Sequence, residues 1–179
     1  MGAAPTKFDN HHNILKASWL DTPLGPMIAI AAENALYLLE FVDRRGLERE
    51  VERLRIKTKA AIIPGSNAPL KSIETELKLY FAGSLKEFKT PLHLMGSPFQ
   101  QHVWQELMRI PYGTTRSYLD QAKAIGKQTA YRAVANANGA NQLGIIIPCH
   151  RIINSNGELG GYGGGIARKK WLIEFEKEN

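Results

Sequence analysis

Cysteine is almost missing from this sequence: Cys149 is the only one in 179 residues. That excludes a disulfide within the chain, a thiolate metal cluster, and the two-thiol redox chemistry of thioredoxin-like proteins. It suits a reducing compartment, so a cytoplasmic location is expected. Five histidines (His11, His12, His93, His102 and His150) are scattered and, with one cysteine, form no zinc-binding set. No metal and no cofactor are therefore expected. No run approaches the roughly 20 apolar residues of a membrane helix. Residues 1–13 lack the apolar core of a secretion signal and read as a flexible start. Internal repeats and low-complexity tracts are also absent, which excludes solenoid and fibrous architectures.

What is present describes a globular chain. Apolar residues make up 44% and aromatics 8%, and a chain of this length buries roughly 70% of its unfolded surface without help from disulfides or metal. The net charge is +6, and its placement is uneven. Residues 91–157 carry six basic groups (Arg109, Arg116, Lys123, Lys127, Arg132 and Arg151) against only Glu106 and Asp120. Residues 158–179 balance at four of each sign, and residues 1–90 carry 13 basic against 11 acidic groups. The excess sits in the segment leading to Cys149, as suits a polyanionic partner such as nucleic acid.

The apolar patterning divides the chain into an α/β part and a helical part. Pro26–Glu33 and Ala35–Val42 read as a β-hairpin turning at Glu33-Asn34. Leu47, Val51 and Leu54 mark a helix over 47–56, and Leu70, Ile73, Leu77 and Phe81 mark another over 70–81. Residues 60–69 read as a loop or short strand. Residues 84–98, with Pro91, Gly96 and Pro98, read as a linker. Phe99, Val103, Leu107 and Ile110 form one stripe of a helix that Pro111-Tyr112-Gly113 stops. Ser117 is placed to cap a helix over 118–125, which Gly126 ends. A helix over 129–138 follows, so the spacing is that of a helix-turn-helix. That second helix is mostly small residues. A last amphipathic helix runs over 166–177, with Ile166, Trp171, Leu172 and Phe175 inward.

Residues 145–153, Ile-Ile-Ile-Pro-Cys-His-Arg-Ile-Ile, read as an apolar strand stopped by Pro148 with a thiol, an imidazole and a guanidinium at its end. A lone buried cysteine is ordinarily an inert small hydrophobe. It becomes a nucleophile when nearby positive charge favours the thiolate, and a hundredfold larger thiolate fraction takes about 2.7 kcal/mol. Neighbouring side chains on a strand point to opposite faces. Cys149 and His150 therefore meet only if Pro148 turns the chain, or through a bridging water. A cysteine hydrolase would take His93 or His102 as its base instead. A DNA-binding module without chemistry is the other alternative.

Several blocks in order carry a family resemblance: Phe99-Gln100, Val103-Trp104, Ile110-Pro-Tyr-Gly113, Ser117-Tyr118, Arg132-Ala-Val134, Ile147-Pro-Cys-His-Arg151, Gly160–Gly165 and Trp171-Leu172. Over residues 80–176 the chain closely resembles the O6-alkylguanine-DNA alkyltransferases, and Thr22-Pro-Leu-Gly25 resembles their N-terminal opening. The resemblance implies an α+β fold: a small α/β (RNase H-like) domain over 1–88, then a winged helix-turn-helix-like domain over 89–179. It implies a monomer that binds duplex DNA containing O6-alkylguanine, flips the base out, and moves the alkyl group irreversibly to its own cysteine, once per molecule.

The resemblance also assigns roles. Cys149 is the nucleophile, His150 its base through a water, Glu176 the group that orients His150, Tyr118 the donor to the leaving guanine, and Asn141 the brace of the turn before Cys149. Arg132 fills the space the base leaves. The helix over 129–138 lies in the minor groove, with Thr129, Ala130 and Ala133 at the DNA. Arg151 and Tyr162 complete the expected DNA-contacting set, and Gly160–Gly165 forms the lip of the base pocket. Two departures stand out. Gly163 takes the place of a serine that in some relatives can bond the guanine oxygen. The cysteines that hold a zinc in some N-terminal domains are missing.

Overall fold

The computed structural model describes residues 13–179; the flexible start expected for residues 1–13 lies, but for Asn13, outside them. The first part is a four-stranded sheet with two helices. Strands β1 (Ile14–Leu20), β2 (Met27–Ala31) and β3 (Leu36–Phe41) form an antiparallel meander, and β4 (Ala61–Pro64) adds parallel to β1, giving the order β3-β2-β1-β4. Helix α1 (Leu47–Thr58) makes the crossover that a parallel pair requires. It has Glu48 and Glu50 in its first turn and Arg55 and Lys57 in its last, the polarity that the helix dipole favours. Helix α2 (Ala68–Phe81) begins where Asn67 accepts from the backbone N–H of Leu70 at 3.2 Å while donating to Ala31 O at 3.0 Å. One asparagine thus caps the helix and ties it to β2.

The hairpin and both helices match expectation, but the first strand escaped it. β1 alternates polar and apolar residues weakly and begins just after the segment read as a flexible start. The expected linker is not a free tether. Its residues run along β3, with Leu36 N–H donating to Pro91 O at 2.8 Å and His93 N–H to Leu36 O at 2.9 Å.

The second part is helical. Helix α3 (Pro98–Leu107) starts with a reciprocal Ser97–Gln100 capping box and buries Val103, Trp104 and Leu107, each contributing about 2 kcal/mol by leaving water. Strand β5 (Arg116–Ser117) runs into α4 (Tyr118–Ala124), and Ser117 caps it as expected, in a second capping box with Asp120. A 3-10 turn (Gln128–Ala130) precedes α5 (Tyr131–Gly139). The orientation of α5 is fixed twice. Trp104 Nε1–H donates to Ala137 O at 2.8 Å, and the amides of Gln121 and Asn138 exchange two hydrogen bonds of 2.7 Å. Strand β6 (Ile152–Ile153) pairs parallel with β5, and α6 (Ile166–Glu178) closes the chain. A single apolar cluster joins Met27, Leu39 and Tyr80 of the first part to Leu107, Val134 and Leu172 of the second. Among the described residues no helix is long and apolar enough to cross a membrane.

Candidate active site

The strand expected over 145–147 is a tight turn. Ile145 takes a left-handed conformation, φ 70°, which costs a β-branched residue about 1–3 kcal/mol. Its bonds close locally: Ile146 N–H donates to Gly144 O and Ile147 N–H to Leu143 O. The turn is also pinned to β3, through Leu39 N–H to Gln142 O at 2.8 Å and Gly144 N–H to Leu39 O at 2.9 Å. Three isoleucines in a buried turn have the same composition as a buried strand, and that is why the sequence misled.

After the turn Pro148 redirects the chain into a 3-10 helix, Cys149–Arg151. Asn141 sits at the centre of this construction. Its Nδ2 donates to Ile147 O at 2.9 Å and to Cys149 Sγ at 3.4 Å, while its Oδ1 accepts from Leu143 N–H at 2.9 Å. Cys149 is partly exposed and opens into a cavity of about 380 Å3 walled by Tyr118, Gly139, Gly161, Tyr162 and Gly163. The lip expected from Gly160–Gly165 therefore stands beside the thiol.

Behind the thiol lies a fully buried ion cluster. His150 is 0% exposed, and its Nε2 is 2.7 Å from Glu176 Oε1. The same carboxylate accepts from Tyr80 Oη–H at 2.8 Å and from Arg151 Nε–H at 2.8 Å and Nη2–H at 3.1 Å. Burial alone would raise the pKa of Glu176, but hydrogen bonds and charge from His150 and Arg151 hold it at about 2. An ionised carboxylate can only accept, so Nε2 must carry the imidazole proton. Nδ1 is then left as a lone pair, and it has no protein partner. Burial lowers the pKa of His150 against the pull of Glu176, so the ring is neutral at physiological pH and its charge adds to the hold on Glu176 only in acid. Burial likewise raises the Cys149 thiol, against the Asn141 hydrogen bond and the charges of Arg44 and Lys169. The resting pair is therefore thiol and neutral imidazole, with no direct hydrogen bond between them.

The remaining expected residues divide. Tyr118 lines the cavity with the thiol, and burial and the nearby Cys149 raise its hydroxyl pKa. Thr129, Arg132 and Ala133 are exposed and Ala130 is half-buried, across the 3-10 turn and the first turn of α5. Arg132 borders a second hollow, of about 480 Å3, shared with Tyr118 and Ala135. Arg151 corrects the expectation that it meets DNA. It is only 7% exposed, and its guanidinium is spent on Glu176 and on Ile110 O at 2.7 Å. His93 stacks on Tyr37 and His102 is exposed on α3; neither lines the cavity, which disfavours either as a base for Cys149.

Three participants were missed in the sequence. Tyr80 comes from α2, one residue from the stripe position assigned to Phe81. Lys169 is 0% exposed, donates to Gly161 O at 3.0 Å, and sits 5.8 Å from the Tyr118 ring centroid; burial lowers its pKa to about 8. Arg44 reaches from the first part to Gly139 O and Asn141 O. A solvated lysine or arginine on an amphipathic segment has the same sequence pattern, so no signal marked the last two.

A braced thiol, a carboxylate-held imidazole and the positive excess of the helical part point to a nucleophilic-cysteine protein built on an α/β part and a DNA-binding type of helical part. Comparison with known families agrees. The ribonuclease-like domain of 6-O-methylguanine DNA methyltransferase matches residues 15–94, and the DNA-binding domain of the same family matches 98–178. The chain belongs to the 6-O-methylguanine DNA methyltransferase family, and the expected α+β, RNase H-like architecture is borne out with it. A methylated-DNA–protein-cysteine methyltransferase of Mycobacterium tuberculosis (strain H37Rv) is 45% identical over 158 residues, covering 88% of this chain and 90% of the relative. One from Methanosarcina barkeri is 38% identical over 160 residues, covering 89% and 96%. The crystal structure of Mycobacterium tuberculosis OGT in complex with DNA superposes with a TM-score of 0.77 at 40% identity, covering 92% of this chain and 93% of that one.

Proposed function

We propose that this protein repairs DNA by flipping O6-alkylguanine out of the duplex and taking the alkyl group onto Cys149, one lesion per molecule, acting as a cytoplasmic monomer. The arrangement that supports this reading best is the His150–Glu176 pair behind a thiol that opens between Tyr118 and the glycine lip.

The chemistry follows from the proton positions. His150 Nδ1 takes the thiol proton through a bridging water as Sγ attacks the alkyl carbon. The S–C bond forms, the C–O6 bond breaks, and its electron pair leaves with the guanine. The imidazolium that develops faces a carboxylate already stripped of water, so its charge is compensated without reorganisation. Tyr118 donates its proton to the departing base and regains one through solvent as His150 releases the thiol's, so the thiol proton is in effect delivered to the guanine and no charge is left. The thioether has no second thiol to cleave it, so the protein is consumed. Arg132 takes the place of the flipped base, and small residues on α5 let its backbone approach a narrow groove.

The test is intact mass with peptide mapping after exposure to an O6-methylguanine duplex. One added methyl group on the Cys149 peptide, in a stoichiometric burst, is the expected result. An unchanged mass with retained binding would favour a module without chemistry. Repeated turnover would favour a hydrolase.

A further inference from the structure

Gly163 raises a question that its backbone does not answer. Its φ lies outside the left-handed region, so any residue could adopt the conformation. The space is what forbids a side chain. A Cβ at 163 would lie 2.6 Å from Arg44 Nη1 and 2.7 Å from its Cζ. Such a clash is ordinarily relieved by moving a flexible side-chain end, but this guanidinium is pinned. Nη1 donates to Glu40 Oε1 at 2.6 Å and to Asn141 O at 3.1 Å, Nη2 donates to Gly139 O at 2.7 Å, and Nε is 3.1 Å from Glu50 Oε1. Burial and a hydrogen bond to Glu50 raise the pKa of Glu40. Glu40 Oε1 nonetheless accepts from Arg44, and Glu50 closes on the same guanidinium from the Nε side. Gly139 and Gly163 both line the cavity that holds the thiol, and the guanidinium lies between them, against both.

We propose that Arg44, supplied by the first domain, is a specificity-determining positioning residue: it fixes the separation of the Gly139 wall and the Gly163 lip, and so sets which alkyl groups fit beside Cys149. This rests on the alkyl-transfer reading above. A rigid lip spaced by a charged side chain discriminates by size, and a lip freed from it does not. Arg44 is also the reason for glycine at 163, so the two positions are coupled.

Single-turnover transfer from duplexes carrying O6-methylguanine or O6-benzylguanine tests this with Arg44→Ala, Arg44→Gln, Gly163→Ser and the Arg44→Ala/Gly163→Ser pair. The parent protein's own transfer is read first, so failure of the alkyl-transfer reading is seen separately. Gly163→Ser alone should slow both substrates at least tenfold. Adding Arg44→Ala should bring the rates back to within threefold of Arg44→Ala alone. Arg44→Ala should change the benzyl-to-methyl rate ratio at least fivefold, and Arg44→Gln, which keeps an N–H donor, should change it less. A purely structural guanidinium would slow both substrates equally. An unchanged ratio, or additive losses in the double variant, overturns the proposal. Should Arg44→Ala not fold, Arg44→Gln/Gly163→Ala carries the same coupling test, and additivity there has the same consequence.

Discussion

Replacing Glu176 by glutamine should both weaken the protein and slow transfer, by amounts set by the buried cluster. The carboxylate is held at about 2, against an ordinary value of 4.5, and that difference is worth about 3 kcal/mol of folding stability. Because the folded value is the lower one, the contribution is complete above pH 4.5 and is lost as pH falls through 2. Glutamine removes it at every pH and leaves the Arg151 guanidinium buried without its countercharge, so a loss of about 3–5 kcal/mol is expected at pH 7. Urea unfolding followed by tryptophan fluorescence measures it. Glutamine also presents an N–H that can release the His150 tautomer, so Nδ1 is no longer fixed as a lone pair. Transfer should then fall about 100-fold, the lower end of what a positioned base contributes. The acid limb of the pH–rate profile should move to lower pH, since the imidazolium has lost its anion. Glu176→Asp keeps the charge but withdraws it, and should lie between. A Glu176→Gln variant that transfers within threefold of the parent, with an unmoved acid limb, would refute the role given to this carboxylate.

Asn141→Ala should cost about 2–4 kcal/mol by leaving Ile147 C=O and Leu143 N–H buried without partners, and should slow transfer more than it weakens DNA binding. Chemical denaturation and a binding isotherm separate the two effects. Lys169 is lowered to about 8 by burial, so the unfolded chain binds a proton there that the folded one releases, and stability should rise by about 1 kcal/mol from pH 8 to 9. Lys169→Met should abolish that rise; its persistence would show that another group is titrating. Arg132→Ala should weaken damage-dependent binding and flipping, read with a fluorescent base beside the lesion. Roughly four phosphate contacts should give a log–log salt slope near −4 for the parent, and a slope near zero would count against phosphate contacts as the main source of affinity.

The helical half was legible in the sequence because its signals are local. Ser117 caps α4 through its own residue i+3, Pro98 opens α3, and the Val103–Leu107 stripe buries where its period directs. β1 and the linker path were not legible. β1 is an inner strand whose second edge is filled by β4, tens of residues away, and the linker is tied through Pro91 to Leu36, similarly distant. The Ile145 turn was misread for a related reason. Apolar composition reports burial, and only backbone geometry distinguishes a buried turn from a buried strand.

In the site, the residues around Cys149 in sequence were recognised as a group, yet the structure divides them by depth. Cys149 faces the cavity, His150 and Arg151 face the core, and this division follows from the 3-10 turn after Pro148, which rotates successive side chains by about 120° rather than 180°. Two neighbours can thus be buried on the same carboxylate while the third meets substrate. That geometry also explains why the first domain shares in a site that seemed to belong to the second. Glu176 needs more donors than the short 3-10 turn can give, and Tyr80 supplies one from α2. The turn before Cys149 needs its outward carbonyls satisfied, and Arg44 takes those of Gly139 and Asn141. An isolated C-terminal half would leave a buried carboxylate short of a donor and several backbone acceptors unpaired. It should therefore transfer far more slowly than the whole chain even where it still binds DNA; equal rates for the two would show that the domain contact is mere packing.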